Sequence, residues 1–300
     1  MSEPGPGPSP PRGEEVTEPS SVPPREGAWR RDASGRPAPP PPDLPWDRVR
    51  LSVVIPVFNE VGTIEAVVRR VRELPIPLEV VVVDDASTDG TPAVLERLEK
   101  EGLIDRLVFH VRNRGKGAAL RDGFAVATGD VVVVQDADLE YDPHELPILL
   151  VPILKGWADA VYGSRFLGGP HRVHLFWHYQ GNRFLTFLSN LLTDLNLTDM
   201  ETCYKMIRRD LLQTLPLTRD RFGIEPEITA RLAQARARIY ELPISYRGRS
   251  YAEGKKIGWR DGVAAFWHIL RSNLLPPKAK EWVRPEVEPW DEPSEGARAS

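Results

Sequence analysis

The sequence predicts an α/β fold: a mostly parallel sheet flanked by helices, in a single domain with disordered ends. Three observations carry that expectation. Short runs of β-branched apolar residues recur, four of them between residues 51 and 135. Segments with helical spacing alternate with those runs, which implies βαβ units and a parallel sheet. Stretches rich in Pro and charge bracket this periodic region. They offer too little apolar surface to offset the entropy of ordering.

The elements follow in order. LSVVIPVF (51–58) reads as a strand and 61–73 as a helix with apolar positions at helical spacing. LEVVVVD (78–84) is a second buried strand. Ser87 or Asp89 is placed to cap the helix that runs to about Lys100. RLVFHV (106–111) is a third strand, and 116–127 a helix. DVVVVQ (130–135) is the fourth strand, and its consecutive valines imply cover on both faces. The prediction is a disordered Pro-rich segment at 1–46, a folded domain at 47–275 and a flexible tail at 276–300. Residues 1–46 hold about half of the 30 prolines. Pro39 to Pro42 suit a plain linker better than a docking motif.

Composition removes several function classes. Charged residues make up 27% of the 300 and the formal net charge is -4, which argues against a nucleic-acid binder. The lone cysteine, Cys203, permits no internal disulfide, and its alternating apolar neighbours mark a core residue. The N-terminus carries acids and prolines where a signal peptide needs an apolar core. No apolar run is long enough to span a bilayer. The expected location is cytoplasmic, peripheral at the inner face of a membrane. Residues 175–195 (LFWHYQGNRFLTFLSNLLTDL) fit either a core-facing helix or an interfacial helix that meets lipid.

In parallel sheets, ligands bind beyond the carboxyl ends of the strands. Asn59 and Glu60 follow the first strand, Asp84 and Asp85 end the second, and Asp136 and Asp138 end the fourth. A solvated strand end before a turn at Asp142-Pro143 explains one such group, not three. Carboxylates crowded on one edge are costly without cations or donors. Asp136 and Asp138, two apart in an extended segment, point to the same side. Mg²⁺ usually takes one or two carboxylates plus phosphate oxygens. A metal there would neutralise a diphosphate leaving group. Asp85 and Glu60 are then placed to accept from a base or ribose.

Other signals carry less. His171, His174 and His178 have spacing suited to zinc, but Pro170 and the surrounding aromatics favour a loop-to-helix transition. RNRGKGAAL lacks the full P-loop pattern. Its glycines let the helix at 116–127 pack closely, and Lys116 is placed to reach a phosphate. No G-x-G-x-x-G follows the first strand, which counts against a dinucleotide dehydrogenase.

PVFNE (56–60), VVVDDASTDGT (81–91), RNRGKGAALRDGF (112–124) and QDADLEYDP (135–143), in this order and spacing, resemble glycosyltransferase family two. That family has the GT-A fold, a Rossmann-like sheet. YGSRF (162–166) and KKIGW (255–259) narrow the resemblance to the branch of dolichyl- and polyprenyl-phosphate hexose synthases. It covers roughly residues 50–270. The resemblance implies inverting transfer of a hexose from a nucleoside diphosphate sugar, with Mg²⁺ or Mn²⁺. It implies that Pro56, Phe58, Glu60, Val83 and Asp85 line the nucleoside pocket. Asp136, Ala137 and Lys116 would contact nucleotide. Asp138 would bind the metal, with Asp136 and Glu140 as further ligands. Arg165 would face the diphosphate or an acceptor phosphate. Arg249 and Lys256, with Arg247 and Lys255 as alternates, sit in a loop that would close over the diphosphate.

The acceptor turns on TDMETCYK (198–205), which stands where relatives carry an Arg- and Gly-containing stretch. A phosphate acceptor needs cations, and Arg165, Lys205, Arg249 and Lys256 are the candidates. A hydroxyl acceptor needs a general base, for which Glu201 and Asp199 are the candidates. Polyprenyl phosphate is the expected acceptor and a hydroxyl the alternative. A catalytically inactive nucleotide-sugar-binding module is the rival outside enzymes, and the intact D-x-D counts against it. A sugar nucleotidyltransferase would need an early Gly-rich loop with Arg and Lys, which the sequence does not offer.

Overall fold

Four apolar segments pair as the predicted parallel half of the sheet: β1 (Leu51–Val57), β2 (Leu78–Asp84), β3 (Arg106–Phe109) and β4 (Val131–Val134). The computed structural model describes residues 43–168, 172, 175–248, 259–275, 277, 281–286 and 290. The crossovers are α1 (Ile64–Arg72), α2 (Thr91–Lys100) and α3 (Lys116–Val126). Val53, Val54, Val81, Val82 and Val133 are wholly buried. Each is worth about 1.5–3 kcal/mol of burial, so the valine runs fix the centre of the sheet.

Two local details differ from expectation. β3 stops at Phe109, because the His110 ring is drawn between Asp85 and Asp122, and Val111 is fully exposed. Neither Ser87 nor Asp89 is the cap residue of α2; Gly90 is, with Pro92 in the first turn. Asp89 instead accepts from the amides of Thr91 and Val61, and Ser87 Oγ from the amide of Asn59.

The second half reverses direction. A 3₁₀ turn at Pro143–Glu145 leads into α4 (Leu146–Leu154), β5 (Ala160–Ser164), α5 (Phe176–Thr193), β6 (Lys205–Arg208) and α6 (Arg209–Leu212). Then come α7 (Ile224–Gln234), β7 (Ile239–Pro243) and α8 (Trp259–Leu274). The strand order is β3-β2-β1-β4-β6-β5-β7. β6 runs antiparallel to both β4 and β5, while β5 and β7 are parallel. The start of β6 therefore lies at the edge where β4 and β5 end. That reversal gathers 135–138, 164–165 and 198–205 on one rim.

The two halves also meet at the start of α3. Gly115 has φ +94°, and a Cβ there would lie 2.5 Å from the Asp220 carbonyl oxygen; one on Gly117 would strike that of Arg219. Arg121 fastens the same loop, donating to the Arg219 carbonyl at 2.8 Å and pairing with Asp220 at 2.5 Å.

Packed chain extends past both predicted boundaries. Leu44 and Trp46 pack on the core, as does Trp282. Trp290 is 4% exposed, donates from Nε1 to the Leu154 carbonyl and lies under the Arg208 guanidinium. Arg284 pairs with the buried Asp159. Among the described residues, no helix is long and apolar enough to cross a membrane.

Candidate active site

The acids of the D-x-D leave β4 at the rim. Lys116, the first residue of α3, reaches across to Asp136 at 2.8 Å and to Glu225, in the first turn of α7, at 3.0 Å. Burial pushes the lysine pKa down, but Asp136 and Glu225 more than reverse this and hold it well above the usual value. Asp138 accepts from the Glu140 amide at 3.1 Å. Glu140 accepts from the Tyr246 hydroxyl at 2.7 Å, so this carboxylate is engaged where the sequence predicts a third metal ligand. Among the described residues, no three His, Cys, Asp or Glu side chains converge into a metal cage. Two oxygen donors on alternate residues still fit a hard cation whose remaining ligands are phosphate and water.

Of the residues expected to line a nucleoside pocket, Pro56 and Val83 are register partners in β1 and β2. Phe58 is exposed, whereas Val83 is wholly buried. Asp85 is 3% exposed and accepts from the amides of Arg114 and Gly115 at 2.8 and 2.7 Å. His110 Nδ1 lies 2.7 Å from the same carboxylate. Asp85 thus fixes the loop that precedes Lys116. Glu60 accepts from the Thr63 hydroxyl, and its amide donates to Thr91 Oγ1.

Across the rim, Arg165 and Asp199 form a buried pair. The guanidinium donates from Nε and Nη2 to both Asp199 oxygens at 2.7 Å, and its own amide adds a third bond at 3.1 Å. Asp199 is fully buried. Burial opposes the arginine charge, but Asp199 raises its pKa well above the usual value. The guanidinium also lies 5.2 Å from the Tyr246 ring centre and 5.6 Å from that of Phe166. Glu241 of β7 holds the turn beneath by accepting from the amides of Thr198 and Asp199. Lys205, predicted as a phosphate-binding cation, is 1% exposed and donates to the carbonyls of Met200 and Thr202. Its ammonium is committed to the turn, which corrects that expectation. Burial, then the Glu225 carboxylate, push the Glu201 pKa up to about 7.

Paired acids, a bridging lysine and a clamped arginine thus share one rim of a GT-A-like sheet. The model of the family described as "Glycosyl transferase family 2" matches residues 52–215. The chain belongs to glycosyltransferase family 2. It is 31% identical over 246 residues to an undecaprenyl-phosphate mannosyltransferase of Micrococcus luteus, covering 75% of this chain and 99% of that one. It is 29% identical to an undecaprenyl-phosphate 4-deoxy-4-formamido-L-arabinose transferase of Pseudomonas paraeruginosa, covering 68% of this chain and 60% of that protein. Among solved structures, it resembles the glucosyl-3-phosphoglycerate synthase of Mycobacterium tuberculosis in complex with Mn²⁺, UDP and glucosyl-3-phosphoglycerate. The TM-score is 0.60 at 22% identity, over 80% of this chain and 89% of that one. The same enzyme has been solved with Mg²⁺ and UDP, at TM-score 0.56.

In this family 2 enzyme, Asp136, Ala137, Asp138, Lys116, Arg165, Asp199 and Glu201 share the rim. Arg249, Lys256 and Lys255 lie outside the described residues, as do His171 and His174. His178 sits half-buried in α5. Sequence reasoning missed Glu225, Tyr246 and His110. An acid flanked by apolar residues in FGIEPEI was the available signal for Glu225. Its partner, Lys116, is more than a hundred residues away in the chain.

Proposed function

We propose that this family 2 glycosyltransferase moves a hexose from a nucleoside diphosphate sugar to a polyprenyl phosphate, with inversion, at the cytoplasmic face of a membrane. The observation that carries the reading is the two-faced helix α5. On its inner face, Asn182 Nδ2 donates to Asp199 at 3.5 Å and Thr186 Oγ1 accepts from the Met200 amide. That face adjoins the Arg165–Asp199 pair. Its outer face exposes Phe176, Trp177, Phe184, Phe187 and Leu191, and Phe266 of α8 stacks on Phe184. An acceptor with an anionic head and a hydrocarbon tail needs such a cation beside such a surface. The undecaprenyl-phosphate relatives support the same reading.

Asp138, with Asp136, would hold Mg²⁺ or Mn²⁺, which when bound offsets the charge of the diphosphate leaving group. Lys116 keeps Asp136 oriented. Arg165 presents a fixed guanidinium to the acceptor phosphate, which is already an anion and attacks without losing a proton. The nucleoside would lie over Pro56 and Phe58, on the loop that Asp85 fixes. Residues 43–275 would form the catalytic domain, with Trp282 and Trp290 packed onto it.

A second reading has one observation in its favour. Glu201, with a pKa of about 7, has the profile of a general base for a hydroxyl acceptor. The deciding experiment incubates the full chain with Mn²⁺, a panel of UDP- and GDP-hexoses, and either polyprenyl phosphate or long-chain alcohols. A glycosyl polyprenyl phosphate is the expected product. Product on the alcohols alone replaces the phosphate reading with the hydroxyl one. Nucleotide binding with neither transfer nor donor hydrolysis points to the inactive module.

A further inference from the structure

Helices α7 and α8 meet along a seam where four buried polar atoms have no hydrogen-bond partner among the described residues. They are Arg219 Nε, Arg231 Nη2, His268 Nδ1 and Ser272 Oγ. Arg231 is 2% exposed and Ser272 is wholly buried. The bonds around them show how the seam is built. Arg231 donates from Nη1 to the Ser272 carbonyl at 2.9 Å, and Gln234 donates to the same oxygen. His268, one turn before Ser272 on α8, rests on Gly223 at the start of α7, where a Cβ would lie 2.5 Å from the ring. Arg219 is tied to α7 by its amide, which donates to Glu227 at 2.8 Å. Buried polar groups are normally paired, so four orphans in one seam call for a partner.

The seam also carries surplus positive charge. The charges that act on His268 are those of Arg219, Glu227 and Arg271; on Arg231 they are those of Glu227 and Arg219. Three guanidiniums thus share one carboxylate. Both oxygens of Glu227 are already engaged by Thr218 and the Arg219 amide, and Arg231 Nη2 comes no nearer to it than 3.6 Å. Burial, which Glu227 only partly offsets, holds the Arg231 pKa below its usual value. Burial, then Arg219, push the His268 pKa down. A water molecule would meet the hydrogen bonds and leave the charge. An anion answers both, and two guanidiniums with a hydroxyl suit the several oxygens of a phosphate. The seam is separate from the catalytic rim. Glu225 turns to Lys116, whereas Glu227, two residues on, lies on the opposite side of α7.

We infer that the seam between α7 and α8 is a binding site for a phosphate-type oxyanion, held by Arg219, Arg231 and Ser272 with His268 beside them. The bound anion ties α8 to α7 and to the loop at 218–221. Its source is free phosphate or the headgroup of an acidic phospholipid, since α8 also exposes Phe266 and Trp267. The site is independent of the donor and acceptor used at the rim.

The test uses the full chain without nucleotide or metal. Calorimetry with sodium phosphate, against sodium chloride of equal ionic strength, measures the affinity. Phosphate at about 100 times its dissociation constant should raise the melting temperature by about 5–11 °C. Arg219→Gln and Ser272→Ala should each weaken phosphate binding by about tenfold or more, as expected for a lost hydrogen bond to a charged group. Both should melt like the wild type without phosphate, because Arg219 holds its loop through backbone atoms and the Ser272 hydroxyl has no partner to lose. Co-sedimentation with phosphatidylcholine vesicles, with and without phosphatidylglycerol, separates the sources. Loss of the preference for acidic vesicles in Arg219→Gln assigns the site to a lipid headgroup. Loss of phosphate binding with that preference intact assigns it to the free anion. Variants that match the wild type in both assays overturn the inference, since phosphate held at the rim would be insensitive to either substitution. A wild type that favours neither phosphate over chloride nor acidic over neutral vesicles also overturns it and leaves the seam to water.

Discussion

A single substitution at Arg165 cannot separate its ion pair with Asp199 from the phosphate contact proposed for it. Its guanidinium neutralises Asp199, which has no exposure at all. Removing one partner of a buried pair costs about 3–5 kcal/mol, because the other charge is stranded. Arg165→Met should therefore lower stability by about that much and abolish transfer. Adding Asp199→Leu removes the stranded charge and should recover most of the stability. Transfer should stay lost if the guanidinium binds phosphate, and its return in the double variant would assign Arg165 a structural role only. Glu79, away from the rim, makes a pH prediction. It is 1% exposed and accepts from Ser52, Thr128 and Arg106; burial opposes its charge, but these donors bring its pKa down to about 2. The folded pKa lies below the ordinary 4.5, so its stabilisation is complete above 4.5 and is lost as pH falls through about 2. The full shift corresponds to about 3 kcal/mol. In urea unfolding, the gap between wild type and Glu79→Gln should be widest near about pH 7 and narrow by about pH 3; a constant gap would contradict it. The D-x-D was legible because acids end three strands at one edge, which a single solvated strand end does not explain. Residue identity could not reveal that Lys205 is buried in its own turn, because a lysine's partners there are backbone carbonyls, which no side-chain pattern announces.

At the scale of elements, strands were the most legible because β-branched runs leave little alternative. β6 was not: KMIR spans four residues, and nothing in so short a run sets its direction. Yet that direction is what brings TDMETCYK to the D-x-D. Helix α5 was ambiguous because both of its faces are rich in aromatic and aliphatic residues, and only the tertiary structure shows that Thr186 and Ser189 are buried while Trp177 and Phe187 are 80% and 64% exposed. The exposed face gives a direct prediction. Trp177→Glu with Phe187→Glu should weaken co-sedimentation with lipid vesicles by about tenfold or more, since each removes a large apolar group from the interface. Melting should hardly change, because exposed substitutions usually stay within about 0.5 kcal/mol. Unaltered vesicle binding would remove α5 from the membrane contact.

Across the whole molecule, the composition of the tail concealed its attachment. Prolines and charges dominate residues 276–300, and a few aromatic anchors among them escape an average taken over the segment. Trp290 is one such anchor, with Leu154, Arg208 and Arg48 as its partners. Trp290→Ala should cost about 3 kcal/mol and lower the melting temperature by roughly 6–12 °C. Retained melting would show the tail to be an accessory to the fold. The general lesson lies in the sheet order. The parallel half was predictable from local pattern, whereas the rim depends on chain reversal at β6, on Lys116 reaching α7, and on a loop seated over α3.

That seat has an evolutionary consequence. In a survey of every single substitution, Arg114 should tolerate replacement well, since its side chain is 41% exposed and its pairing with Asp122 lies at the surface. Its neighbours Gly115 and Gly117 should tolerate almost none, although neither carries a reactive group. Their value is the space they leave vacant, which the backbone of Arg219 and Asp220 occupies. Lineages descended from this protein are free to vary the charge at position 114, but not to thicken the two glycines on which the 219–220 loop rests.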